Sequence, residues 1–118
     1  MLIIKLNYEE FHVIVRALHA TLGINSFGRL PFRLMAICTS SGCRAWVTTT
    51  KPLNELPLSE MAAEVEFELD LSEWETIASN LEQALSKRLL TDIEDYIAYR
   101  ILLRVTDEGV LQGMLPAA

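Results

Sequence analysis

Apolar and polar residues alternate in two short stretches of the chain, and a helical pattern follows each of them. The stretches LIIKL (2–6) and VEFEL (65–69) place an apolar side chain at every second position, which is typical of a strand with one buried face. In the residues that follow, apolar positions recur every third or fourth residue, as in an amphipathic helix. The pattern therefore predicts a strand followed by a helix, twice.

The two strand–helix stretches align when IKLNYEEFHVIVRALHATL (4–22) is placed over FELDLSEWETIASNLEQAL (67–85), with Phe11 over Trp74, an offset of 63 residues. Each predicted helix is preceded by a capping residue, Asn7 or Asp70, with Glu10 or Glu73 three positions later. The matching core positions are Leu6 and Leu69, Ile14 and Ile77, and Leu18 and Leu81. An internal duplication accounts for both the spacing and the caps.

A second match, at an offset of 67 residues, places FRLMAICTSSGC over YRILLRVTDEGV. The second segment (Tyr99 to Val110) fits either the end of a helix that begins near Asp92 or a strand, because short apolar runs fit both patterns. In the first copy, Ser40-Ser41-Gly42 followed by CRAWVTTT favours a hairpin with a three-residue loop. The match extends this interpretation to the second copy, with Asp107-Glu108-Gly109 as its loop, so residues 99–105 are predicted to form a strand.

The predicted fold class is α+β, with tandem duplicated strand–helix–strand–strand modules at about 2–48 and 64–114. These modules are expected to form a largely antiparallel sheet with two amphipathic helices on one face. The segment 50–63 contains Pro52 and Pro57 and is predicted to be a linker. At 118 residues the chain is predicted to be a single domain, 1–118.

Paired modules of this kind resemble, in topology, the vicinal-oxygen-chelate fold and the domains of sliding clamps. The first resemblance implies a ligand on the open face of the sheet, but the sequence does not match the metal-binding His and Glu pattern of glyoxalases. The second implies contact with DNA, but the predicted helices lack the basic face of a clamp that encircles DNA. A fold resemblance alone carries little information about function.

The face of the sheet away from the helices is the predicted binding surface. Alternate residues of a strand share one face of a sheet. On that basis an apolar group lies on the open face, with arginines on one side of it and carboxylates on the other. A contiguous apolar centre with a charged rim is typical of an interface or a ligand groove. The alternatives are that these apolar residues are scattered over the surface or that the 50–63 linker covers them. The predicted binding residues are Ile3, Arg33, Met35, Ile37, Arg44, Trp46, Leu102, Glu64, Glu66 and Glu68.

An acidic row formed by Glu64, Glu66, Glu68 and Asp70 lies on this predicted face. Like charges in a row repel one another unless cations lie opposite them. Four cations are available, either within the chain or across a dimer: Lys5, Arg33, Arg100 and Arg104. The alternative is that the row binds a basic partner.

No catalytic residue, metal site or cofactor is predicted. His12 and His19 are seven residues apart, whereas a metal pair on a helix usually needs a spacing of three or four. Cys38 and Cys43 are too few for a disulfide framework or a structural zinc site. The five glycines are scattered and form no phosphate-binding loop.

The net charge of −6 is unevenly distributed, with +2 in residues 1–63 and −8 in residues 64–118. Direct binding to nucleic acid is not expected, because phosphate contacts require a concentrated basic surface. No apolar run reaches the roughly 18 residues that span a bilayer, and the N-terminus lacks the basic region of a signal peptide. The predicted location is therefore the cytoplasm, with no membrane partner.

Three hypotheses about function follow. The first is a non-enzymatic interaction or regulatory protein that binds itself, as a homodimer, or a protein partner through the open sheet face. The second is a small-molecule-binding protein without a metal that uses the same face as a pocket. The third is an acidic inhibitor of a nucleic-acid-binding protein, with the acidic row as the contact.

Overall fold

The computed structural model describes residues 1–22, 29–41 and 63–113. In chain order its elements are β1 (Leu2–Leu6), α1 (Tyr8–Leu22), α2 (Arg29–Ser40), β2 (Val65–Leu69), α3 (Leu71–Ser86) and α4 (Asp92–Leu111). Strands β1 and β2 pair antiparallel, and α1 and α3 pack against each other and against α4. Within the described ranges, no helix is long and apolar enough to cross a membrane.

The two strands form a ribbon with an internal two-fold relation. Ile4 pairs with Phe67, and these two residues are also equivalent in the repeat with an offset of 63. Pairing between equivalent residues means that a local two-fold axis passes between them. The side chains on one face of the ribbon are all buried: Leu2, Ile4, Leu6, Val65, Phe67 and Leu69.

Reciprocal caps begin the two helices that follow the strands. The Asn7 backbone N–H donates to the Glu10 carboxylate (3.0 Å), and the Glu10 N–H donates to the Asn7 side-chain oxygen (3.0 Å). The Asp70 N–H donates to Glu73 in the same way (3.0 Å). The caps satisfy amide groups that have no partner inside the helix, and they explain why α1 and α3 begin directly after the strands.

Trp74 anchors α3 to the buried face of the ribbon. Its side chain is completely buried, and its indole Nε1 donates to the carbonyl oxygen of Leu2 (2.9 Å). The partner helix α1 contributes Ile14 and Leu18 to the same core. A hydroxyl–amide hydrogen bond from Thr21 to Asn80 joins the two helices at the border of this core.

The predicted strand over residues 99–105 is wrong, because these residues lie in the middle of α4. Ile101 and Val105 are buried, whereas Tyr99 and Leu103 are 59% and 67% exposed. The alternation in the sequence arises from two apolar helical faces. Each face contributes a residue every four positions, and the two sets are offset by two.

The beginning of α4 explains why a helix forms here. The Thr91 hydroxyl accepts a hydrogen bond from the Glu94 N–H (3.3 Å), and the Thr91 N–H donates to the Glu94 carboxylate (3.0 Å). This capping box is the same device that begins α1. The predicted turn at 107–109 lies inside α4, so no hairpin forms there.

The first copy is corrected in the same way. Residues 33–39 belong to α2, where Leu34 and Cys38, one helical turn apart, are buried. The predicted tandem strand–helix–strand–strand modules are therefore wrong, and the sheet has two strands in the part of the chain that the structure describes. The α+β class stands, but the fold is mostly helical. The predicted returning strand at 43–50 and the interior of the linker at 50–63 lie outside the described residues.

Each half of the described chain runs strand, helix, helix, and the second helix of each half crosses to the other half. Helix α2 contacts β2, and α4 contacts β1. Ion pairs follow the same crossing, because Arg33 binds Glu73 (3.2 Å), whereas Arg100 (3.6 Å) and Arg104 (2.7 Å) bind Glu10. The match at an offset of 67 is thus visible in the structure as a pair of helices rather than a pair of hairpins.

Candidate interaction surfaces

The exposed face of the ribbon carries four of the predicted binding residues. Ile3, Glu64, Glu66 and Glu68 are all exposed there, and Ile3 is 40% exposed. Lys5 is directly opposite Glu66, with 4.0 Å between the Lys5 Nζ and the Glu66 Oε1. This face is therefore mainly charged rather than apolar.

The remaining predicted residues do not join Ile3 in one apolar group. Met35 and Ile37 on α2, and Leu102 on α4, are half-buried and pack against the core. These residues lie on helices rather than on the predicted strands, and the helices direct their side chains toward the core. Arg44 and Trp46 lie outside the described residues.

A shallow groove between α2 and β2 brings four of the predicted residues together. Its volume is about 370 Å³, and Arg33, Ile37, Glu66 and Glu68 line it together with small residues of α2. The guanidinium of Arg33 is already engaged by the Glu73 carboxylate (Nε to Oε2, 3.2 Å). The groove therefore has an acidic side, formed by the strand, and a mixed side, on which Ala36 and Ile37 lie among Arg33, Ser40 and Ser41.

Only one of the four cations predicted to balance the acidic row lies opposite it. Lys5 reaches Glu66, whereas the three arginines bind Glu10 and Glu73 at the helix starts. The other two glutamates of the row, Glu64 and Glu68, have no ion pair within the described ranges. Among the described residues, Lys5 is thus the one cation that forms an ion pair with the row, and Arg33 lines the same groove as Glu66 and Glu68.

The outer edge of β1 is covered by the end of α4. The Gln112 side-chain amide donates to the Ile3 carbonyl (2.7 Å) and accepts from the Ile3 N–H (3.0 Å), as the backbone of a neighbouring strand would. Arg104 donates to the Lys5 carbonyl further along the same edge. An edge whose polar groups are bonded in this way is protected from pairing with another chain.

A second apolar face, which was not predicted from the sequence, runs along the outside of α4. Ile93 is 72% exposed, Tyr96 68%, Tyr99 59% and Leu103 67%. These four residues, here named the α4 stripe, are spaced by three, three and four positions. At 100° per residue they fall within an arc of about 120° on one side of the helix.

The buried face of α4 lies roughly opposite this stripe. Ile97, Ile101 and Val105 point into the core, and the centres of the two faces are about 140° apart around the helix. The α4 stripe presents roughly 500 Å² of side-chain surface to solvent, which is in the range of the largest apolar patch on a typical monomer. The sequence signal for the stripe is the three-and-four spacing from Ile93 to Leu103, which marks an apolar helix face but does not show whether that face is buried or exposed.

His12 and Cys38, which were considered for metal binding in the sequence, are at least partly buried. His12 is half-buried, and its ring lies 5.8 Å from that of Tyr8, centroid to centroid. Burial lowers the pKa of His12, the Glu94 carboxylate opposes this shift, and Arg16 adds to it. Cys38 is buried in the core. Among the described residues, no group of three or more His, Cys, Asp or Glu side chains could hold a metal ion.

Comparison with protein-family models, with curated proteins and with solved structures finds no match. Function is therefore inferred from the surfaces themselves. Two of them differ in kind: the acidic ribbon face, which was predicted from the sequence, and the apolar α4 stripe, which was not.

Proposed function

We propose that this chain is a small non-enzymatic interaction protein that binds itself or a protein partner through the α4 stripe. The observation that supports this proposal is the exposure of four large apolar side chains, 59% to 72% each, on one face of a well-capped helix. Tyrosine and aliphatic side chains in a continuous patch are typical of an interface centre. Binding in the cytoplasm remains a prediction from the sequence.

The α4 stripe is a better candidate than the ribbon face for an apolar contact. On the described ribbon face, Ile3 is the only exposed apolar side chain among charged neighbours. On α4, the stripe runs from Ile93 to Leu103, a span of eleven residues or about 15 Å of helix. An apolar helix face of this kind typically binds in a hydrophobic groove of a partner protein.

Site-specific photo-crosslinking in the cells that make the protein tests this proposal. A benzophenone amino acid replaces Tyr99 in the stripe or, as a matched control, Glu82, which is exposed on α3. We expect a covalent adduct from position 99 and none from position 82. Equal adduct formation at both positions, or none at position 99, would contradict the proposal.

A second candidate function is supported by the acidic row of the ribbon. Glu64, Glu66 and Glu68 are exposed at alternate positions, with Lys5 as their one opposing cation among the described residues. This arrangement suits a basic partner, including a nucleic-acid-binding protein that the chain would inhibit. Salt separates the two candidates, because contacts between exposed charges weaken as ionic strength rises and apolar contacts do not.

The double variant Glu66→Gln/Glu68→Gln tests the second candidate. If the acidic row carries the binding, this variant loses association with a basic partner, and the wild type loses it on going from 50 to about 300 mM salt. Association that survives both changes assigns the contact to another surface. The small-molecule alternative has no specific observation in its favour among the described residues.

A further inference from the structure

We infer that the α4 stripe binds the α4 stripe of a second copy, with the two helices antiparallel across a two-fold axis. This inference rests on the proposed function, because it names the partner of the same surface. The order of side chains along the stripe, its charges and its area support it.

The order of side chains along the stripe is nearly the same in both directions. From Ile93 to Leu103 it runs aliphatic, aromatic, aromatic, aliphatic, and its midpoint lies at position 98. Ile93 and Leu103 each lie about 7.5 Å along the helix from that midpoint, at a rise of 1.5 Å per residue. An antiparallel two-fold contact therefore places Ile93 at the level of Leu103 of the second copy, and Tyr96 beside its Tyr99. A two-fold interface requires this kind of self-complementarity.

The charges on α4 favour the antiparallel arrangement over the parallel one. Asp92 and Asp95 make the first turn of α4 acidic, whereas Glu94 is buried and paired with Arg16 (2.6 Å), and Arg100 and Arg104 are held by Glu10 of their own chain. Antiparallel packing about position 98 places the two acidic first turns at opposite ends of the contact, because Asp92 lies about 9 Å along the helix from that midpoint. Parallel packing would bring two acidic first turns together and would also align the two helix dipoles, and both effects are unfavourable.

The area of the stripe sets the expected strength of the dimer. Two stripes of roughly 500 Å² bury about 1,000 Å² in total, just below the range of stable specific interfaces. A contact of this size gives a concentration-dependent dimer with a dissociation constant on the order of micromolar. The inference therefore predicts a monomer–dimer equilibrium rather than a permanent dimer.

A charge-pair experiment tests both the partner and the orientation. Analytical ultracentrifugation of the wild type at 5 to 200 µM is expected to show a mass that rises from that of one chain, 13.3 kDa, toward twice that value. The single variants Ile93→Lys and Leu103→Glu each place a charge against apolar side chains of the second copy, so each should raise the dissociation constant at least tenfold. The double variant Ile93→Lys/Leu103→Glu should restore dimerisation, because each new lysine then faces a new glutamate.

A control and circular dichroism establish that the variants remain folded. Glu82→Lys changes an exposed charge on α3 and should leave the dissociation constant unchanged. Positions 93 and 103 are 72% and 67% exposed, so all variants should keep the far-UV spectrum of the wild type. A double variant weaker than either single variant would show parallel packing and overturn the antiparallel inference.

The two proposals fail in different ways. A wild type that stays monomeric at 200 µM, or single variants that dimerise like the wild type, would overturn the inference of a second copy. If the benzophenone at position 99 then forms an adduct with a different protein, the stripe is still an interaction surface and the proposed function stands. If it forms no adduct, both proposals fail. An adduct with twice the mass of the chain supports both.

Discussion

Glu10 is a buried carboxylate that joins the two halves of the chain. Its side chain is 3% exposed, it accepts from the Asn7 N–H (3.0 Å), and its Oε2 lies 2.7 Å from Arg104 Nη1 and 3.6 Å from Arg100 Nε. The equivalent residue, Glu73, caps α3 in the same way but binds only Arg33 among the described arginines, and its side chain is 21% exposed. The molecule thus provides an internal comparison of one carboxylate in two environments.

The substitutions Glu10→Gln and Glu73→Gln remove the charge at each position and keep the shape and the oxygen that accepts the capping bond. Breaking a buried ion pair typically destabilises a protein by 3–5 kcal/mol, but the arginines at Glu10 are about one-third exposed, so solvent screening reduces the expected loss to about 2 kcal/mol. Glu73→Gln should lower the free energy of unfolding by about 0.5 kcal/mol, as is usual for partly exposed pairs.

Urea unfolding followed by circular dichroism at 222 nm measures both losses. Neither variant should change the dependence of stability on urea concentration, because the surface exposed on unfolding stays the same. The reasoning fails if the two variants lose equal stability, or if Glu73→Gln loses more. Either result would mean that burial of the carboxylate and the crossing of α4 to the first half do not determine the strength of these contacts.

Three further predictions follow from the packing. Gln112→Ala removes both hydrogen bonds to the outer edge of β1, so hydrogen exchange at the Ile3 amide should accelerate. The free energy of unfolding should fall by about 1 kcal/mol. An unchanged exchange rate at Ile3 would contradict the contact between Gln112 and β1. Trp74→Phe loses the buried indole bond and leaves a cavity, so calorimetry should show a loss of about 2–3 kcal/mol; a loss below 0.5 kcal/mol would be inconsistent with full burial. Burial lowers the pKa of His12 in the folded state, so the unfolded chain takes up the proton first and stability should fall as the pH drops below about 6.5. His12→Gln should flatten this fall between about pH 7 and 5, and a variant with the same fall as the wild type would contradict the role of His12.

The strands and the helices that directly follow them could be predicted from the sequence because their signals are local. Alternation in LIIKL and VEFEL places one set of side chains in the core, and the capping boxes at Asn7 and Asp70 mark where α1 and α3 begin. Each of these features depends on neighbours within about four residues.

The second helix of each half was predicted as a strand because a strand and a helix can both produce its alternation of apolar residues. Residues 99–105 alternate since Ile101 and Val105 face the core while Tyr99 and Leu103 form part of the α4 stripe. A strand that buries all four and a helix that buries two give the same apolar pattern over seven residues. The capping box at Thr91 favours the helix, but it lies eight residues before the ambiguous segment.

The exposure of the acidic row could be predicted, whereas the α4 stripe could not. Strand parity is enough to place Glu66 and Glu68 on one solvent-facing side. Recognising an outward apolar face on a helix requires knowing which other face is buried, and this depends on the tertiary contacts of α4 with α1, α3 and β1. The sequence alone does not show which side of α4 faces the core, so it does not show that the stripe faces solvent.

A comparison of Ile101→Glu with Leu103→Glu tests most directly whether α4 has one buried and one outward apolar face. The two positions are 0% and 67% exposed, respectively. In urea unfolding at a chain concentration below the dissociation constant of the inferred dimer, Leu103→Glu should keep the wild-type free energy of unfolding within about 0.5 kcal/mol. Ile101→Glu should lose more than about 4 kcal/mol or fail to fold. Similar losses for both variants would mean that residues 101 and 103 share one buried face, as in a strand, and would contradict both the helix and the stripe.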